Sequence, residues 1–186
     1  MQQVDSLLAR HCAPTLLGAK AANLIALPAG QYSCPRELTE KCNQELGGSG
    51  MIFTLLCSCP KNSLMLAYRP ALLRKQLESP RAQAILKAYG YPVGRGLQAM
   101  IQRLRERLAE EENFPHEIGL FLDYPPADVE GFIRHRGADC KLCGYWKVYS
   151  NVEEARARFA CYDACRQCLC GLVEAGNSIS QLLKTA

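Results

Sequence analysis

The sequence predicts an α+β fold. A single domain, residues 1–186, holds a small, partly antiparallel sheet of about four strands packed with about six or seven helices. Three observations carry this. Two apolar runs, residues 51–58 and 63–69, are joined by Cys59-Pro60-Lys61-Asn62, the pattern of a β-hairpin. Proline opens, and glycine closes, several runs with helical spacing. The 186 residues, 48% hydrophobic and 22% charged, suffice for one packed core, and no repeat, linker or low-complexity segment divides them.

In chain order, residues 4–9 read as a short helix or a lead-in. Leu17, Ala21, Leu24 and Leu27 then recur at helical spacing behind Pro14, which suits a first helical turn. This predicts a helix over 14–27, with Cys12 near its N-cap and Pro28-Ala29-Gly30 as its end. A second helix runs over 35–46, with Ser33 as N-cap and Gly47-Gly48 as stop. After the hairpin, Pro70 and Pro80 open helices to about Glu78 and Tyr89. Leu97, Ile101, Leu104 and Leu108 mark an amphipathic helix whose Arg103, Arg105, Arg107 and Glu110 to Glu112 lie mostly on the other face. Residues 117–124 are short, apolar and aromatic-containing, which suits a strand with His116 at its entrance. Pro125-Pro126 ends that strand, because proline cannot donate to a ladder. Asp128 starts a helix through Val129, Phe132 and Ile133, capped by Gly137. Residues 140–143 read as a loop and 144–149 as a strand. Asn151 caps a last helix to about Glu174, with Glu153 and Glu154 complementing its dipole and Gly176 stopping it.

Composition excludes some functions. Net charge is +4, from 22 Lys and Arg against 18 Asp and Glu, and the signs interleave. That speaks against a nucleic-acid partner. No apolar run reaches the roughly 18 residues of a membrane helix. Residues 1–10 carry Asp5 and lack a secretory pattern, so a cytoplasmic protein is expected. The 11 cysteines, an odd count, argue against a disulfide framework and for thiols packed as small hydrophobes.

Cys12 and His116 are the first candidate for chemistry. A cysteine at a helix N-terminus meets free N–H groups and a positive dipole end, which lowers a thiol's pKa. His116 would be its base, and Glu117, Asp123 or Asn151 could orient the imidazole. The plain alternative is that Cys12 packs beneath its helix and His116 caps a strand. Cys161, Cys165 and Cys168 form CxxxCxxC, an iron–sulfur spacing, with Cys170 and the Cys140/Cys143 pair as possible further ligands. They fall within a predicted helix, however, where Cys161, Cys165, Cys168 and Leu172 share one face and read as a buried stripe. His11, His116 and His135 stand in separate elements without ligand spacing. Gly47-Gly48-Ser49-Gly50 lacks the Lys-Ser/Thr of a phosphate loop.

Four stretches together carry a resemblance. They are His11-Cys12-Ala13-Pro14-Thr15-Leu16 with Lys20, Ala22, Asn23 and Leu24; Phe114-Pro115-His116-Glu117-Ile118-Gly119-Leu120-Phe121-Leu122; Tyr124-Pro125 with Asp128-Val129 and Gly131-Phe132-Ile133; and Gly144-Tyr145-Trp146-Lys147-Val148-Tyr149. With these the chain resembles, over nearly its whole length, the family of clostridial and related anaerobic bacterial proteins called domain of unknown function number thirty-seven ninety-three. The resemblance departs at Asp123, where that family usually has glycine. It implies a cytosolic protein of an anaerobe and supplies no activity and no catalytic residues.

Two main kinds of function follow. One is a thiol-dependent enzyme, with Cys12, His116 and Glu117 catalytic, or a small-ligand-binding protein whose pocket lies between the first helix and the His116 strand. Ligand contacts are expected from His11, Lys20, Asn23, Tyr124 and Trp146, with a small molecule or protein as partner, and neither metal nor named cofactor. The other is a metal, iron–sulfur or haem protein of anaerobic redox metabolism. A non-catalytic binding module, whose signature is a buried Cys12 and an exposed apolar patch around Tyr145 and Trp146, is the remaining alternative.

Overall fold

A computed structural model describes residues 2–58, 62–110 and 114–184. The expected hairpin turn at Cys59, Pro60 and Lys61 and the acidic pair Glu111 and Glu112 lie outside these. The backbone groups into two compact units, Met1–Pro70 with Cys161–Ala186, and Ala71–Ala160. Among the described residues there are nine α-helices, one 3-10 turn and five strands in two antiparallel sheets, so the α+β class stands. The expected four strands and six or seven helices undercount both.

The first unit opens with helix α1, Gln2–Leu16, followed by strand β1, Ala22–Pro28. Helix α2, Pro35–Leu46, leads into the 3-10 turn Gly47–Ser49. Strands β2, Ile52–Ser58, and β3, Asn62–Tyr68, form the expected hairpin. The sheet order is β1-β3-β2, antiparallel throughout, with Leu24 opposite Leu66 and Leu55 opposite Met65. A bulge between Leu55 and Cys57 shifts the β2 register. Leu8, Cys12 and Leu16 of α1 pack with Ile25, Leu27, Phe53 and Met65 in the core. Each such side chain taken fully from water contributes roughly 1.5–3 kcal/mol. The later part of helix α8, Val152–Glu174, and helix α9, Ile179–Leu182, close this core through Leu169, Val173 and Ile179. The Ile179 N–H donates to Asp5 Oδ1 at 3.2 Å, tying α9 to the first turn of α1.

The helix expected over 14–27 is corrected here. Pro14 stands inside α1, two residues before its end, where it forgoes the backbone bond to the preceding turn, and the helix stops at Leu16. Gly18 then adopts φ +78°, a left-handed turn that glycine makes without strain, and the chain leaves as β1. The apolar spacing of Leu24 and Leu27 fits a helix, but pairing along β3 outweighs it. The true helix is built on Leu8, Ala9, Cys12 and Leu16, upstream of the expected start.

Arg69 secures this turn. Its Nε donates to the Thr15 carbonyl at 2.7 Å, its Nη2 to the Leu16 carbonyl, and its Nη1 to the Ser49 carbonyl at 3.0 Å. One guanidinium thus caps the last two carbonyls of α1 and holds the 3-10 turn. Arg69→Ala is expected to lower unfolding free energy by about 2–3 kcal/mol, since charge-assisted bonds to two elements are lost together. Urea denaturation measures it, and a loss under about 0.5 kcal/mol would show that Arg69 caps nothing of consequence.

The second unit carries helices α3, Pro70–Leu77, from its second residue, α4, Pro80–Ala88, and α5, Leu97–Glu110. Then come α6, Ile118–Phe121, and α7, Pro126–His135. Strands β4, Leu142–Cys143, and β5, Lys147–Val148, make a two-rung ladder before α8 begins. The Asn151 side chain accepts the Glu154 N–H at 3.1 Å, as its N-cap placement expects.

Three more expectations change. Residues 117–124 form no strand. They make the single buried turn of α6, after which Asp123 takes φ +62°. A short run buried all round has no period by which to tell strand from helix. The strand expected over 144–149 shrinks to Lys147–Val148, and its partner is the segment read as a loop. On α8, Cys161, Cys168 and Leu172 are exposed and Cys165 is half-buried, so no thiol stripe faces the core. Tyr162, Leu169 and Val173 are the buried face.

Candidate functional site

Asp128 organises the second unit. It stands in the first turn of α7, behind Pro125 and Pro126, and is 2% exposed. Its Oδ1 accepts the Tyr149 N–H at 2.8 Å, the Ser150 N–H at 2.8 Å and the Ser150 hydroxyl at 2.7 Å. Its Oδ2 accepts the Trp146 indole N–H at 2.7 Å. Four donors on one buried carboxylate offset its desolvation and fasten residues 146–150 to α7.

Trp146, so fastened, stacks on Tyr124 with ring centroids 5.2 Å apart and an interplanar angle of 29°. Its other side meets Phe159 edge-on at 4.6 Å. Such contacts add to simple burial. Gly144 permits the approach, because a Cβ there would lie 2.2 Å from a Phe159 ring atom.

Beside these rings lies a cleft of about 330 Å³, lined wholly by residues between 114 and 147. Phe114, His116, Leu122, Val129, Phe132 and Lys147 are among its walls. Phe114 is 49% exposed. His116 lies edge-on to Phe132, centroids 4.9 Å apart. Lys147 Nζ donates to the Gly137 carbonyl at 2.6 Å and sits 5.9 Å from the Phe132 ring centroid. The walls are thus mostly apolar and aromatic, with an imidazole and an ammonium among them. A small molecule can be held there by burial and ring contact and oriented by these two nitrogens. Asp128 also borders the cleft, but its oxygens are committed to the four donors.

Of the expected site residues, the structure brings His116, Tyr124 and Trp146 together on this cleft. Glu117 does not join them. It is 1% exposed and forms an ion pair with Arg107 of α5, while accepting the Tyr91 hydroxyl at 3.0 Å. Burial first, then the charge of Glu117, raises the Tyr91 pKa. Trp146 is buried, so the expected exposed patch at Tyr145 and Trp146 is corrected: the Asp128 bond pulls the indole in.

Cys12, His11, Lys20 and Asn23 belong to the first unit. Cys12 lies in the interior of α1, not at its start, with no exposure. Burial pushes its thiol well above the ordinary range, against the opposing pull of Lys20. The helix-terminal placement expected to activate it is absent. His11 is exposed on the same helix, and its pKa is lowered by partial burial and then by Arg10. Lys20 is 3% exposed, its Nζ 5.7 Å from the Tyr162 ring centroid. Asn23 Oδ1 accepts the Thr15 hydroxyl at 2.6 Å, joining β1 to the end of α1.

Asp128 as a clamp, and Phe114, Phe132 and Lys147 as walls, were not marked by the sequence as site residues. A usable signal was present: one acid after a Pro-Pro turn, and downstream an indole and a serine hydroxyl that need an acceptor if buried. Among the described residues no group of three or more His, Cys, Asp or Glu converges as a metal site. No described helix is long and apolar enough to cross a membrane.

A family model described as Protein of unknown function (DUF3793) matches residues 8–183. The chain belongs to that family. The match reaches into both compact units and includes the later part of α1, the Asp128 clamp and the aromatic cleft. Comparison with curated proteins and with solved structures returns no match to the chain.

Proposed function

We propose that this member of the DUF3793 family binds a small, ring-bearing apolar molecule in the cleft beside Trp146. The observation that carries the reading is the cleft itself: about 330 Å³, walled by aromatic and aliphatic side chains, with the Trp146 indole held by a buried carboxylate. That volume is at the lower end of small-molecule sites, which begin near 300 Å³, and suits a molecule of one or two rings. His116 and Lys147 favour an acidic substituent on it. The burial of Cys12 and the commitment of Glu117 to Arg107 favour ligand binding over a thiol enzyme built on Cys12 and His116.

The test is calorimetric titration of the whole chain with 1-naphthoate as probe. Saturable binding at one probe per chain is expected, weakened about tenfold by Phe132→Ala through loss of a ring contact. Phe114→Asp, at an exposed wall residue, should weaken it as well. Absence of saturable binding, or binding indifferent to both substitutions, would sink the reading.

A further inference from the structure

A second cavity, sharing no residue with the aromatic cleft, lies where α3, α4 and the start of α5 meet in the second unit. It holds about 200 Å³. Its floor is apolar: Leu77 of α3 and Leu97 and Met100 of α5 are all buried. The loop between α4 and α5 walls one side. That loop is held by the Tyr91 N–H, which donates to the Leu86 carbonyl at 3.0 Å, and by the Arg95 N–H, which donates to the Pro92 carbonyl at 3.1 Å. Gly94 and Gly96 take φ +90° and +83° in it, and a Cβ at either would meet no atom within 4 Å, so the cavity stays open along this edge.

Three polar side chains stand around this floor. Arg74 sits in the last turn of α3, Glu78 directly after that helix, and Gln83 on α4. Arg74 and Glu78 are exposed at the rim, and Gln83 is half-buried. The Glu78 N–H donates to the Arg74 carbonyl at 2.9 Å, so the two charges are one helical turn apart. They do not neutralise each other. Among the described residues neither side chain makes an ion pair or a hydrogen bond, and neither does the Gln83 carboxamide. A cation four residues before an anion is the poorer order for such a pair. The pocket thus offers a positive point, a negative point and a carboxamide to one ligand lying on an apolar floor.

We infer that this pocket binds a small aliphatic α-amino acid as its zwitterion. Arg74 takes the carboxylate, in the bidentate geometry that a guanidinium and a carboxylate share. Glu78 takes the ammonium, and the Gln83 carboxamide oxygen accepts a further N–H from it. The aliphatic side chain covers Leu77, Leu97 and Met100 and is drawn there by burial. The volume is below the roughly 300 Å³ at which drug-sized sites begin, which limits the ligand to a single amino acid. A free amino acid carries both charges close together, whereas a peptide end carries one. Opposite charges one turn apart on the rim therefore select the free form. The inference is independent of the ligand cleft.

The test is calorimetric titration of the whole chain with L-leucine. Saturable binding at one leucine per chain is expected, unaffected by 1-naphthoate. Arg74→Gln and Glu78→Gln should each weaken it about tenfold, the effect of losing one charge-assisted contact. Both side chains are exposed, and urea melts matching the unaltered chain check that the variants fold. Two leucine derivatives repeat the test on the unaltered chain. Leucinamide, which lacks the carboxylate, and N-acetyl-leucine, which lacks the ammonium, should each bind about tenfold more weakly than leucine. Glycine should also bind about tenfold more weakly, because it leaves the apolar floor uncovered. No saturable binding of leucine, or binding indifferent to both substitutions, would overturn the inference. Undiminished binding of leucinamide would overturn it in favour of a peptide N-terminus, and undiminished binding of N-acetyl-leucine in favour of a peptide C-terminus. Displacement of leucine by 1-naphthoate would overturn it by putting leucine in the aromatic cleft.

Discussion

Asp128→Ala should lower unfolding free energy by roughly 4 kcal/mol and abolish binding in the cleft. The carboxylate takes four donors from residues 146–150, and alanine leaves all four without an acceptor. Each buried donor so orphaned costs about 1–3 kcal/mol, partly recovered where the segment relaxes toward water. Relaxation is what destroys the site, because Trp146 is held against Tyr124 and Phe159 by the Asp128 bond. Asp128→Asn separates charge from geometry. Its oxygen can still serve Tyr149 and Ser150, but its amide presents a donor to the indole N–H. About half the alanine cost is expected, with a changed emission from Trp146, the chain's single tryptophan. Urea melts followed by that emission measure both. If Asp128→Ala costs under 1 kcal/mol, the carboxylate is not the clamp.

Glu117→Gln should cost about 3–5 kcal/mol, for a different reason. Glu117 is shut from solvent and Arg107 nearly so, and the guanidinium also lies 5.0 Å from the Tyr89 ring centroid. Removing one charge of a buried pair leaves the other desolvated and uncompensated. Replacing both, Glu117→Leu with Arg107→Met, removes the pair's desolvation as well as its attraction. The double variant should be more stable than either single one, and a double-mutant cycle by chemical denaturation reads the coupling. Two independent, additive losses would mean that the pair is not coupled.

The elements legible in the sequence are those with local punctuation. Helix α2 begins at Pro35 and ends at Leu46 as its proline and glycines predict, and β2 and β3 pair on either side of the expected turn. Strand β1 was hidden because Leu24 and Leu27 satisfy a helical spacing, and only pairing with β3, about forty residues on, makes them a strand. Helix α6 was hidden because burial on every side erases periodicity. The cysteines of α8 misled in another way: cysteine counts as a small hydrophobe, yet Cys161 and Cys168 face out while Tyr162 and Leu169 face in.

The site divides along the same line. His116 and Tyr124 stand in one histidine-bearing aromatic stretch and Trp146 in a separate aromatic one, and all three line one cleft. Cys12 drew attention only through a helix start that lies ten residues earlier, at Gln2. Asp128 was legible as a helix-opening acid, but its service to Trp146, Tyr149 and Ser150 depends on a chain return that no local pattern announces.

The most direct test of the ligand cleft is a heteronuclear NMR titration of the whole chain with 1-naphthoate. The account predicts saturating shifts at the Trp146 indole N–H and at the amides of Gly119, Phe132 and Gly144, with residues 22–68 unmoved. Shifts centred on α1 and β1, with the Trp146 indole unmoved, would contradict it.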